Sequence, residues 1–114
     1  MQIFLSLPVL PKEIIFIGGG YIAFELATIA NAAGSKVTIV HHNQRPLKEF
    51  EASLVEEAVH QMEASGIQFA FDVETQKIIS EGTRYRLVGK ETELVADMIF
   101  LCDWETAEYR IFST

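Results

Sequence analysis

The sequence contains one cysteine, Cys102, in 114 residues. No internal disulfide can form, so a disulfide scaffold is excluded and a reducing, cytoplasmic setting is the expected compartment. Cationic side chains are also scarce: 9 Lys and Arg stand against 16 Asp and Glu, a formal net charge of −7. This balance argues against nucleic acid or an anionic membrane as the main partner, while leaving room for a local phosphate site. The N-terminal Met1-Gln2-Ile3-Phe4-Leu5 is apolar but lacks the basic start, long apolar stretch and small-residue cleavage site of a signal peptide. No apolar run approaches the ~18 residues of a membrane span. What is present is a globular composition, 49% hydrophobic and 22% charged. A chain of this size forms one domain that buries roughly two-thirds of its unfolded surface.

The apolar pattern gives the elements. Ile14-Ile15-Phe16-Ile17 is a continuous apolar run that stops at Gly18-Gly19-Gly20, as a strand buried on both faces would. Tyr21 to Ala33 is rich in helix formers, with Ile22, Leu26, Ile29 and Ala33 on one stripe and Gly34 suited to the position after the helix. Val37-Thr38-Ile39-Val40 is a second buried strand, which completes a βαβ unit. Glu51 to Ser65 predicts a second helix, with Ser53 and Glu56 as a capping box and Leu54, Val55, Ala58, Val59 and Met62 as its apolar face. A third strand begins at Ile67. Residues 75–79, 83–88 and 92–95 then alternate with period two around Glu81-Gly82 and Gly89-Lys90, the pattern of an antiparallel meander. Ala96 to Phe100 returns as a further apolar strand. The fold class is therefore α/β: a Rossmann-like βαβαβ parallel sheet with an antiparallel three-stranded β-meander.

Gly18-Gly19-Gly20-Tyr21-Ile22-Ala23 fits G-x-G-x-x-G/A directly after a buried strand and at the opening of a helix. There, backbone N–H groups and the helix dipole favour a pyrophosphate. Gly18 would make the tight turn, Gly20 would let the phosphates approach, and Ala23 would allow close helix–strand packing. The alternative is a strand-to-helix turn that binds nothing. At the end of the second strand, NAD-binding units place an acid on the ribose 2′-hydroxyl. This sequence instead reads His41, His42, Asn43, Gln44, Arg45 and, further on, Lys48, with no carboxylate before Glu49. A 2′-phosphate suits that set better than a free hydroxyl, so NADPH is expected over NADH, unless these residues form only a solvated loop. Two adjacent histidines on an extended segment point to opposite sides, and no Cys or carboxylate completes a metal set.

Leu10-Pro11-Lys12-Glu13-Ile14 leading into the glycine motif and Phe24-Glu25-Leu26-Ala27, followed by Val37 to Val40 and Leu47-Lys48-Glu49-Phe50, resembles the NAD(P)H-binding domain of glutathione reductase-like pyridine nucleotide-disulfide oxidoreductases. The resemblance covers about residues 8–100. It implies that Gly18 to Ala23 hold the pyrophosphate, with alanine at the Ala23 position usual in the NADPH-using enzymes. By the same resemblance, Tyr21 covers the flavin side of the nicotinamide pocket, and Glu25 lies near the flavin and helps orient a lysine of the FAD domain. His41, His42 and Lys48 fall on an Arg-His…Arg pattern that grips the 2′-phosphate, with Arg45 as the alternative to Lys48. Complete enzymes of the family add an FAD domain with its own glycine motif, a redox-active cysteine pair and an interface domain with a His-Glu pair. None of these is in this sequence, so FAD is expected only in a full-length enzyme, and the chain alone is expected to bind a dinucleotide without turnover.

Residues 1–100 are thus expected to form the NAD(P)H-binding domain, and residues 101–114 an atypical C-terminal tail. The family runs here into a Cys/Ala-Ala-Thr-Gly-Arg-x-Pro-Asn motif, whereas this sequence reads Leu101-Cys102-Asp103-Trp104-Glu105-Thr106-Ala107-Glu108-Tyr109. One permitted coding of residues 100–109 with the first base of the Arg110 codon, less a single T from its first run, reads Phe-Cys-Ala-Thr-Gly-Arg-Leu-Pro-Asn-Ile. A one-base insertion near the codons of Phe100 and Leu101 would account for the tail; the alternative is an excised domain with a foreign tail. The DNA downstream in the shifted frame decides between them. Trp104, Tyr109, Ile111 and Phe112 give the tail apolar surface, and a homodimer through it or through exposed domain faces is a further expectation. Two other functions fit the same pattern: a stand-alone Rossmann nucleotide-sensing or interaction module, and a fragment of an unrelated dehydrogenase, for which no catalytic His or Lys stands out.

Overall fold

A computed structural model describes residues 10–18, 20–42, 51–103 and 108–113. Strands β1 (Glu13–Ile17), β2 (Lys36–Val40), β3 (Gln68–Ala70), β7 (Met98–Asp103) and β8 (Glu108–Phe112) form one sheet in the order β3-β2-β1-β7-β8. The pairs β1–β2, β1–β7 and β2–β3 are parallel, and β8 is antiparallel to β7. Strands β4 (Thr75–Glu81), β5 (Arg84–Gly89) and β6 (Glu93–Ala96) form a separate antiparallel sheet. Two helices, α1 (Tyr21–Ala32) and α2 (Ala52–Ala64), complete the described elements. The expected parallel sheet and three-stranded meander are both present.

The side-chain period of two along each strand divides the interior into two cores. Ile14 and Phe16 of β1, Val37 and Ile39 of β2, and Met98 and Phe100 of β7 face α1 and α2. Ile15, Val40 and Ile99 face the meander, where they meet Leu87 and Ala96. The large sheet is therefore the middle of three layers, which explains why the run from Ile14 to Ile17 is apolar at every position.

Three expectations about the elements need correction. In α1 the buried face is Ala23, Phe24, Leu26, Ala27 and Ala30, whereas Ile29 is 43% exposed and Ala33 lies at the surface. The three alanines let the helix backbone approach the sheet closely, and Phe24 fills the remaining gap against Phe69, ring centroids 5.8 Å apart. In α2 the N-cap is Glu51, not Ser53, and no side chain caps the helix. The Ser53 hydroxyl, already inside the first turn, donates to the Glu51 carboxylate at 2.7 Å, and Leu54 is 61% exposed while Val55 is buried. Finally, Gly89 does not belong to the second meander turn. It is the buried last residue of β5, its N–H bonded to the Thr92 carbonyl at 2.7 Å.

The meander is anchored at the N-terminal end of β1. The Arg84 guanidinium donates to the Glu13 carboxylate and lies 3.7 Å from the Asp97 carboxylate, while the Glu13 amide donates to Asp97 Oδ2 at 3.0 Å. The Asp97 amide returns a bond to the Glu13 carbonyl at 3.0 Å. This clamp lies at the end of the strand remote from the glycine loop, so it holds the layers together without occupying the candidate site.

Candidate functional site

The C-terminal ends of β1, β2 and β3 are joined by backbone. The Gly18 amide donates to the Val40 carbonyl at 2.8 Å, the His41 amide to the Ala70 carbonyl at 3.0 Å, and the Val73 amide to the His41 carbonyl at 3.0 Å. In an open parallel sheet, ligands bind beyond the carboxyl ends of the strands where the strand order reverses. Here the chain leaves β1 for β2 on one side and later adds β7 on the other. Gly18 sits at that point.

Glycine at position 18 is required by the backbone. Its φ is +122°, a conformation side chains rarely adopt, and an added Cβ would lie 2.9 Å from the Cys102 carbonyl oxygen on β7. Gly20 is the N-cap of α1 at φ −86° and ψ 170°, and its carbonyl accepts from the Phe24 amide at 3.2 Å. It provides no side-chain cap, and the first turn of α1 carries no acidic residue. The helix start therefore combines its positive dipole end with N–H groups that have no carboxylate of that turn beside them, conditions that favour an anion.

The other expected site residues are distributed as follows. Gly19, Arg45 and Lys48 lie outside the described residues, as does the side chain of Tyr21, which opens α1. Ile22 is half-buried against the helix-side core, and Ala23 is fully buried beneath it, which permits the close approach of α1 to the sheet. Glu25 is exposed on α1. His41 is only 8% exposed and His42 lies at the surface, but their ring centroids are 4.6 Å apart with planes inclined by 51°: β2 ends at Val40 and the chain bends at His42, so the two side chains do not point to opposite sides as expected. The glycine loop and the two histidines are thus brought together through Val40. Among the described residues, no group of three or more His, Cys, Asp or Glu side chains is placed to hold a metal.

Cys102 is a neighbour of the site that the sequence pattern did not single out. The apolar run suggests a strand ending at Phe100, but β7 continues to Asp103 and Cys102 packs with Met98 and Phe100 on the helix side. The alternation 98, 100, 102 is the signal that extends the strand. In the meander, the Arg86 guanidinium holds the Glu81 carboxyl below its usual range, chiefly by a hydrogen bond, and its own pKa is raised in return.

Comparison with known proteins gives the chain's relatives. The chain is 33% identical over 91 residues to a dihydrolipoyl dehydrogenase of Acholeplasma laidlawii, covering 80% of this chain and 27% of that protein. It is 40% identical over 69 residues to a glutathione reductase of Burkholderia cepacia, covering 60% of this chain and 15% of the relative. The chain thus spans little more than a quarter, or less, of these two relatives. Among solved structures, the HOCl-induced flavoprotein disulfide reductase RclA from Escherichia coli superposes with a TM-score of 0.80 at 21% identity, over 93% of this chain and 23% of that one. The family model described as pyridine nucleotide-disulphide oxidoreductase matches residues 3–113, and the chain belongs to that family.

Proposed function

We propose that this chain is the NAD(P)H-binding part of a flavin-dependent disulfide reductase of the glutathione reductase-like kind, and that it takes NADPH in preference to NADH. One observation carries the reading: a glycine-only turn between β1 and α1, tied by the Gly18 amide to Val40 at 2.8 Å, at the place where the strand order reverses.

In this reading Gly18 brings the chain sharply from β1 toward α1, and Gly20 leaves the helix N-terminus open to a pyrophosphate. Ala23 seats α1 against the sheet so that its first-turn N–H groups point to the phosphates. Residues 41–48 would face the ribose 2′ position. They offer His41, His42, Arg45 and Lys48 and no carboxylate, a set suited to a 2′-phosphate. Tyr21 and Glu25 would meet the nicotinamide and flavin side. The bound dinucleotide supplies a hydride, which in such reductases passes to FAD. With one cysteine in the sequence, the redox dithiol would come from polypeptide outside it.

Calorimetric titration with NADPH and NADH tests the proposal. Both are expected to bind, NADPH more tightly, and Gly20→Val should abolish binding while leaving the fold intact, because the φ of −86° suits any residue. Absence of binding by either nucleotide would overturn the proposal, and a preference for NADH would overturn the assignment of residues 41–48.

A further inference from the structure

Among the described residues, β3 and β8 end the large sheet and β4 and β6 end the small one. An open edge offers free N–H and C=O groups as a template for another chain, and short strands, bulges and edge charges suppress such pairing. β3 has only three residues. β4 is interrupted by a bulge between Thr75 and Lys77, and that lysine is exposed. β6 has four residues; the Arg84 guanidinium donates to its Val95 carbonyl at 3.4 Å, and the Asp97 amide that follows is bound to β1. β8 is different. It runs five residues in unbroken register with β7, and among the described residues nothing pairs with its outer side. Tyr109, 41% exposed, and exposed Arg110 stand along it. Its charges, at positions 108 and 110, are opposite in sign and two residues apart in the sequence.

We propose that β8 is a self-pairing edge: two copies of this chain join antiparallel through it about a two-fold axis at Tyr109, so that the large sheet continues from one copy into the other. A two-fold axis perpendicular to the sheet keeps every residue on its own face, and paired residues must share a face, so the pairing has to centre on a residue. The choice of centre is set by charge. Centring on residue 108 or on Arg110 opposes like charges directly across the strands, which is unfavourable, and centring on Ile111 leaves the acid at 108 without a cation opposite. Centring on Tyr109 sets the tyrosines of the two copies against each other. It also brings position 108, a glutamate, opposite Arg110 of the second copy, twice by symmetry. Each chain carries a net charge of −7, so copies repel at long range and local complementarity decides where they can meet. Main-chain hydrogen bonds between the two edges supply the affinity. Two edges of five residues bury well under the ~1,200 Å² of a stable interface, so the dimer is weak and concentration-dependent.

Sedimentation equilibrium of the chain, over about a hundredfold range of concentration reaching ~1 mM, tests this. A monomer–dimer equilibrium is expected, and hydrogen exchange should slow at the outward-facing β8 amides as concentration rises. Arg110→Glu and Glu108→Arg each put like charges into both cross-strand pairs, so each variant alone should associate about tenfold more weakly than the parent, or worse. An equimolar mixture of the two variants restores opposite signs in both pairs and should associate as tightly as the parent. Mixing changes neither chain unless the two meet, so recovery separates pairing from any loss of fold in a single variant. A monomer at every concentration, a dimer that Arg110→Glu leaves intact, or a mixture no tighter than its components would each overturn the proposal.

Discussion

The amide of Gly18 and the carbonyl of Val40 meet at 2.8 Å, so the turn that leaves β1 and the segment that leaves β2 share one piece of backbone. A disturbance at Gly18 is therefore transmitted to the start of the His41-His42 segment. The same glycine sits against β7, where the Cys102 carbonyl occupies the space a side chain would need.

Gly18→Ala should accordingly damage both stability and binding. The positive φ alone costs about 1–3 kcal/mol for a residue with a Cβ, and the 2.9 Å approach to a backbone oxygen cannot be relieved by rotating a side chain. A loss of about 3 kcal/mol in urea denaturation is expected, at the top of that strain range. Gly20→Val, at an ordinary φ, should unfold close to the parent. Equal stability of the Gly18→Ala and parent chains would show that the turn is not held as described.

The clamp between β1 and the meander makes a second prediction. Asp97 accepts from the Glu13 amide at 3.0 Å and faces Arg84 at 3.7 Å. Asp97→Ala would leave that half-buried amide without its acceptor, a loss of about 1–2 kcal/mol. Arg84→Met should cost less, because its side chain is 40% exposed and solvent screens the pair. Hydrogen exchange should show the β5 and β6 amides opening first in Asp97→Ala. Unchanged protection there would argue against the clamp.

Glu81 sets a pH dependence. Its carboxyl is held below the usual 4.5 chiefly by the hydrogen bond from Arg86; desolvation opposes this, and charge attraction to Arg86 adds a smaller lowering. A lowered folded-state pKa means that the contribution is present above the unfolded value and disappears as pH falls through the folded one. NMR titration should find Glu81 protonating below pH 4.5. Glu81→Gln should flatten this part of the acid dependence without changing stability near neutrality by more than a surface pair is worth. A Glu81 titration at or above the ordinary carboxylate value would contradict the hydrogen bond from Arg86.

The parts of this fold that could be read from sequence are those where one residue type is demanded by geometry. Ile14 to Ile17 had to be apolar throughout because both faces of β1 are covered, and Gly18 had to be glycine because of its φ and its neighbour on β7. Orientation was less legible. A hydrophobic stripe ranks Ile29 above Ala30, yet α1 buries the alanine, since closeness of helix to sheet outweighs side-chain size. In the candidate site, the glycine motif was visible as a local pattern. The burial of His41 was not, because it depends on Ala70 and Val73, some 30 residues later.

Strand β8 provides the last prediction. The sequence marks residues 101–114 as atypical, yet Ile111 packs on the helix-side core and Phe112 on the meander-side core, one residue on each face of the sheet. Phe112 lies opposite Ile99 in the β7–β8 register, meets the Tyr85 ring edge-on at 6.1 Å, and is covered by the Arg110 guanidinium at 5.8 Å. It therefore links the edge of the large sheet to the meander through side chains alone. Phe112→Ala should cost about 2 kcal/mol, roughly half of what a fully buried phenylalanine loses, and Phe112→Leu should recover much of it. Arg110→Ala should remove only the smaller cation–π contribution, on the order of 0.5–1 kcal/mol at an exposed site. If Phe112→Ala unfolded at the same urea concentration as the parent, β8 would have to be a loosely attached edge and the two cores would be closed without it.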